Sequence, residues 1–174
     1  MTALPDQLDR KRHVELESRG LEVWLPRAGV VVLLAFLALA LANVFGQKID
    51  TARATAAAAD LELKAPDAVR PGLIYEVQFT VTAKQALEEP ALVLDDGWFD
   101  GFTINTMSPD HEEWVQRDGR NVLTYGPVAA GDELVVRLQY QVNPTTFGTR
   151  EQRVALEDGG SPILAIDHDA VVFP

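Results

Sequence analysis

Tyr75 to Thr82 reads YEVQFTVT, and its alternation decides the fold. Tyr75, Val77, Phe79 and Val81 are apolar, while Glu76, Gln78, Thr80 and Thr82 between them are polar. Successive side chains of an extended chain point to opposite faces, so a period of two makes a strand with one buried face. Leu134 to Val142, LVVRLQYQV, repeats the pattern: Leu134, Val136, Leu138, Tyr140 and Val142 alternate against Arg137, Gln139 and Gln141. Shorter candidates are Leu61–Ala65, Ala91–Leu94, Phe102–Asn105, Glu113–Gln116, Asn121–Tyr125, Gln152–Leu156, Ile163–Ile166 and Ala170–Phe173. Turn residues separate them: Arg70-Pro71-Gly72, Asp95-Asp96-Gly97, Asp118-Gly119, Ala130-Gly131-Asp132, Asn143-Pro144 and Asp158-Gly159-Gly160. Short strands at a spacing of roughly ten residues predict an all-β, antiparallel β-sandwich.

Two turns carry a resemblance. Val69-Arg70-Pro71-Gly72 precedes the first alternating strand, and Tyr125-Gly126-Pro127-Val128-Ala129-Ala130-Gly131-Asp132 precedes the second. Over about Leu61 to Leu156 the chain resembles bacterial immunoglobulin-like modules of the CARDB and DUF11 kind. It is also similar to small bacterial proteins with one membrane span and an outer β-domain. The resemblance implies an immunoglobulin-like β-sandwich in a cell-surface setting and no active site. Leu156 to Pro174 extends beyond the module.

Ahead of the β-pattern, Ala28 to Phe45 reads AGVVVLLAFLALALANVF, without a charge. About 18–20 apolar residues in a helix span the ~30 Å hydrocarbon core of a bilayer. The expected organisation is a charged helical tail over 1–27, a transmembrane helix over 28–46, an Ala-rich spacer over 47–60 and the sandwich over 61–174. The Ala content of the spacer favours helix, and Pro26 is expected to break or bend the approach to the span. Arg10, Lys11, Arg12, Arg19 and Arg27 precede the span and only Lys48 and Arg53 follow closely, which predicts a cytoplasmic N-terminus and an extracytoplasmic domain. The alternative is a secreted or periplasmic module cleaved after Ala42, because Ala40-Leu41-Ala42 has the small-x-small form of a cleavage site.

The formal net charge of −11 is concentrated in the domain, where residues 60–174 hold twenty acidic and eight basic side chains. Such a surface does not suit nucleic acid or anionic lipid, which need Lys and Arg. With no cysteine, disulfides and thiolate chemistry are excluded, and an extracytoplasmic domain without disulfides leans bacterial.

No catalytic residue, metal site or cofactor is assigned. His111 in Asp110-His111-Glu112-Glu113 and His168 in Asp167-His168-Asp169 are the basis of a rival reading, a metal-dependent enzyme, but both are expected in solvated loops. Asp95, Asp96, Asp100, Asp110, Glu112 and Glu113 are acidic neighbours without EF-hand spacing. Ser18, Ser108 and Ser161 sit in no nucleophile elbow.

Candidate interface residues are of two kinds. Trp98, Phe99, Phe102 and Phe147 place large rings in Gly-rich loops, where rings anchor either a partner or the end of the core. Ala35, Ala38 and Ala42, spaced three and four apart, allow close approach of a second membrane helix. Together these features lead to the expectation of a membrane-anchored binding or accessory subunit whose partner is a protein, itself an integral membrane protein.

Overall fold

The computed structural model describes residues 20–42 and 48–173, which belong to two compact units, Met1–Gly46 and Gln47–Pro174. Most of the expected charged tail, with His13, lies outside the described residues, as do 43–47 at the end of the apolar run.

In the first unit, α1 runs from Gly20 to Leu41. Within it Trp24–Leu41 is long and apolar enough to cross a membrane, and its described side chains are all exposed. A signal sequence shares that length and composition. Pro26 does not break the helix but lies inside it. Proline removes one bond to the carbonyl four residues back, and here the helix continues on both sides of the loss.

The second unit is a β-sandwich. One sheet has five strands in the order β1-β2-β4-β9-β6: Ile49–Thr55, Ala59–Pro66, Ile74–Ala83, Glu133–Val142 and Phe102–Ser108. The other has six in the order β3-β11-β10-β5-β8-β7: Ala68–Val69, Ser161–Val172, Gly148–Asp158, Pro90–Leu94, Arg120–Thr124 and Glu113–Arg117. All pairs are antiparallel except β3 with β11. The two alternating stretches lie side by side, with Tyr75 opposite Tyr140, Val77 opposite Leu138 and Phe79 opposite Val136. Their apolar faces meet Leu92, Leu94, Leu123, Val154, Leu156 and Ile166 of the second sheet in one core.

Two elements differ from the expectation. The supposed helical spacer holds β1, paired over its whole length with β2, so the sandwich begins at Ile49 rather than Leu61. Ala52 and Ala54 pack against the core there. Local helix propensity is worth a few tenths of a kcal/mol per residue and yields to a complete ladder with a packed inner face. The short candidates Ile163–Ile166 and Ala170–Phe173 are parts of one strand, β11. Asp167 and Asp169 interrupt its apolar run only because they are on the outer face, while His168 between them faces inward and is buried.

Between β5 and β6 the chain makes a 3-10 turn at Asp96–Trp98 and closes one end of the core. A Cβ on Gly97 would fall 1.8 Å from the Glu151 carbonyl oxygen, so only glycine lets the turn lie this close to β10. Gly101 takes φ of +83°, the left-handed region that glycine enters freely. Gly97→Ala is therefore expected to cost roughly 1–3 kcal/mol by overpacking, and Phe79→Ala about 3–5 kcal/mol by leaving a cavity. Chemical denaturation of the purified protein measures both. A Gly97→Ala protein as stable as wild type would show that the turn stands away from β10.

Asp95 precedes this turn with Oδ1 buried and unpartnered. Burial pushes its carboxyl above the usual carboxylate range, against a smaller pull from backbone hydrogen bonds at Arg153 and Gly97. A raised folded-state pKa means that the ionised form works against folding at neutral pH. That handicap disappears as pH falls through the folded value toward the unfolded one, near 3.8. Asp95→Asn should then raise the melting temperature at pH 7, with a gain that shrinks on acidification toward pH ~4. A gain independent of pH would show that ionisation of Asp95 is not the cause.

Candidate functional site

The four candidate rings divide between the core and the surface. Trp98 is 1 % exposed and Phe102 6 % exposed, so neither is available to a partner. Trp98 meets Phe79 edge-on at 5.3 Å and stacks on His168 at 6.4 Å, and its indole N–H donates to the Arg153 carbonyl at 2.9 Å. Phe102 meets Tyr140 edge-on at 5.0 Å. Both belong to the core because the Gly-rich loop folds back over the open end of the sandwich rather than projecting from it. Phe99 is half-buried against Trp114, with ring centroids 6.0 Å apart, and His111 packs edge-on to the same indole. Trp114 lies opposite buried Leu123 and shares its inner face, so these three rings cover the open side between edge strands β6 and β7.

Phe147 remains on the surface, 53 % exposed. Its loop is laced to the aromatic turn. Thr146 Oγ1 donates to the Gly101 carbonyl at 3.1 Å, and Arg150 donates to the carbonyls of Asp100 and Phe147. Four further exposed apolar side chains, Ile49, Leu73, Ile74 and Phe173, went unassigned in the sequence. The register places them with Phe147 at one end of the sandwich. Ile49 starts β1 opposite Pro66, Ile74 starts β4 opposite Gln141, Gly148 starts β10 opposite Val172, and the Phe173 N–H donates to the Val69 carbonyl. Lys48 leads into β1 at this same end. The available signal was Leu73-Ile74 ahead of Tyr75: two apolar residues in a row, one of them out of phase with the strand that follows.

His111 and His168 are not brought together as ligands. Among the described residues the group suited to a metal ion is Asp50, Asp67 and His168, whose ligand atoms all lie within 4.8 Å of one another. It contains neither His111 nor the acidic residues between Asp95 and Glu113. Of those, Asp100 pairs with Arg150 at 3.2 Å. On the outer face of the five-stranded sheet, Lys64 and Arg53 hold the Glu62 carboxyl below its ordinary range, and Lys84 does the same for Asp60. These charges are neutralised by their own neighbours.

Ala35, Ala38 and Ala42 are exposed along α1 and the turn that ends it.

No protein family matches this chain, and no curated protein does. Among solved structures it is similar to CaCohA2 from Clostridium acetobutylicum, with 14% identity over 60% of this chain and 86% of that one, at a TM-score of 0.42. A non-cellulosomal cohesin from the archaeon Archaeoglobus fulgidus is similar at 12% identity over 63% and 88%, with a TM-score of 0.40. A CARDB domain from Pyrococcus furiosus is similar at 14% identity over 70% and 95%, with a TM-score of 0.41. At such identities and scores, what those proteins bind does not carry over to this chain.

Proposed function

We propose that the protein is a single-pass membrane protein with its N-terminus in the cytoplasm and its β-sandwich outside, and that it serves as a binding or accessory subunit for another integral membrane protein. One observation carries this reading. Ile49, Leu73, Ile74, Phe147 and Phe173, most of the strongly exposed large apolar side chains of the domain, share the end through which the chain arrives from the apolar helix. Exposed apolar groups gathered on an otherwise acidic domain mark an interaction surface. The Ala35, Ala38 and Ala42 face of α1 supplies a second, independent contact, since helices associate in lipid by close packing of small residues. Nucleic acid is not a partner of so acidic a domain.

Three measurements test this. Protease added to spheroplasts should digest the domain and spare the residues before the span, and a protected domain would reverse the orientation. The intact mass of the mature protein should include residues before Asn43, whereas their loss would make it a secreted module cleaved after Ala42. A photo-crosslinker placed at Phe147 in the full-length, membrane-embedded protein should capture one membrane protein. Leu73→Ser with Ile74→Ser should reduce that capture several-fold while leaving stability within about 0.5 kcal/mol, as for other surface changes. Ala38→Leu with Ala42→Leu should weaken it without affecting insertion. Undiminished capture in both variants would remove these surfaces from the interface.

A further inference from the structure

We propose that Asp50, Asp67 and His168 form a site for one divalent metal ion of the zinc class, which pins the first strand of the domain to β11. The three residues are far apart in sequence and meet where the chain crosses from one sheet to the other. Asp50 is on β1, the edge of the five-stranded sheet. Asp67 is the single residue between β2 of that sheet and β3 of the other. Its N–H donates to the Lys48 carbonyl at 3.3 Å and its carbonyl accepts from the Val171 N–H at 2.8 Å, so its backbone is held by both sides of the sandwich. His168 is on β11 and faces inward.

Each residue offers one ligand atom, and the three atoms lie within 4.8 Å of one another. No hydrogen bond or ion pair joins them, and neither carboxylate has a cationic partner among the described residues. Metal–ligand bonds of about 2.0–2.2 Å hold ligand atoms some 3–4 Å apart. Small rotations of two exposed aspartate side chains supply the difference.

His168 provides the independent sign. It is 9 % exposed, its ring is fixed by stacking on Trp98, and its Nε2 is buried without a hydrogen-bond partner. A buried imidazole nitrogen without a partner is costly unless something fills the place. Two carboxylates alone repel each other, and a divalent cation answers both facts at once. One imidazole with two carboxylates suits zinc or manganese rather than calcium or magnesium, which take oxygen alone. Three protein ligands leave a fourth zinc position for water. The proposal stands independently of any membrane partner.

The test uses untagged full-length protein in mild detergent, stripped with EDTA and dialysed against zinc. One zinc per chain and a rise in melting temperature are expected. Asp50→Asn with Asp67→Asn alters two exposed carboxylates without changing their shape. It should weaken zinc binding at least about tenfold and abolish the thermal shift, while the metal-free melting temperature stays at or above that of wild type. His168→Gln should also lose the ion. Should that variant fail to fold, the double Asn variant decides. Less than one zinc per chain, or zinc binding by the double variant equal to wild type, would overturn the site.

Discussion

The contact of Phe79, Trp98 and His168, edge-on in the first pair and stacked in the second, joins the two sheets at the end where β1 begins. Phe79 belongs to the five-stranded sheet and His168 to the six-stranded one, and the Trp98 ring contacts both. The indole N–H bound to the Arg153 carbonyl sets the ring's orientation, and Gly97 lets its backbone approach β10. Several other features depend on this seat. Gln152, opposite His168 on β10, donates to the Gly97 carbonyl at 3.3 Å. The loop of Phe147 is fastened to the aromatic turn through Gly101 and Asp100. Moving the indole would release the turn, then the loop, then the apolar end that both support.

Three of the four buried side-chain atoms without a partner among the described residues lie around this turn and its neighbours on β10 and β11. Asp95 Oδ1, Gln152 Oε1 and His168 Nε2 are all buried and unpartnered, and two of them flank the Trp98 turn. A domain that needed only a core would fill such positions with aliphatic side chains, as it does along Val154 and Leu156 of the same strand. Buried polar groups without partners tend to occur where function is paid for in stability. The proposed metal ligand His168 is one of these three residues, and the strand it would pin, β1, is the first of the domain.

The architecture was legible because β4 from Tyr75 and β9 from Val136 alternate over most of their length, and a one-residue slip would turn those apolar side chains outward. The short strands were legible from the turns that bound them. β1 was not, because its Ala residues carry helix propensity and show no large apolar stripe. An edge strand whose inner face needs only small side chains leaves almost no periodic signal. The continuity of β11 was hidden by Asp167 and Asp169, outward-facing charges that read as a turn. Asp95-Asp96-Gly97-Trp98 illustrates the limit on the site. Its composition fits a surface loop or a core cap equally well, and the choice rests on the close approach of Gly97 to the Glu151 carbonyl, which no local reading contains. The Asp50, Asp67 and His168 cluster was illegible for the same reason: two sheets and a crossover bring it together, not a spacing.

How the proposed partner engages the domain follows from the edges. A sandwich can accept a partner strand along an exposed edge, but each of the four edges here is unsuited to it. β1 presents Asp50 and Arg53, β7 presents Glu113 and Arg117, β6 is interrupted by an irregularity between Ile104 and Thr106, and β3 is two residues long. The open side between β6 and β7 is covered by Phe99, His111 and Trp114. What is left exposed and apolar is mainly the end that carries Ile49, Leu73, Ile74, Phe147 and Phe173. These residues come from the starts of two strands, two loops and the position after the last strand, so a partner docking there meets side chains rather than backbone hydrogen-bonding groups. Specificity would then reside in shape and apolar contact at a rim held by Trp98, Gly101 and Arg150, and the strands behind it serve to keep that rim in place.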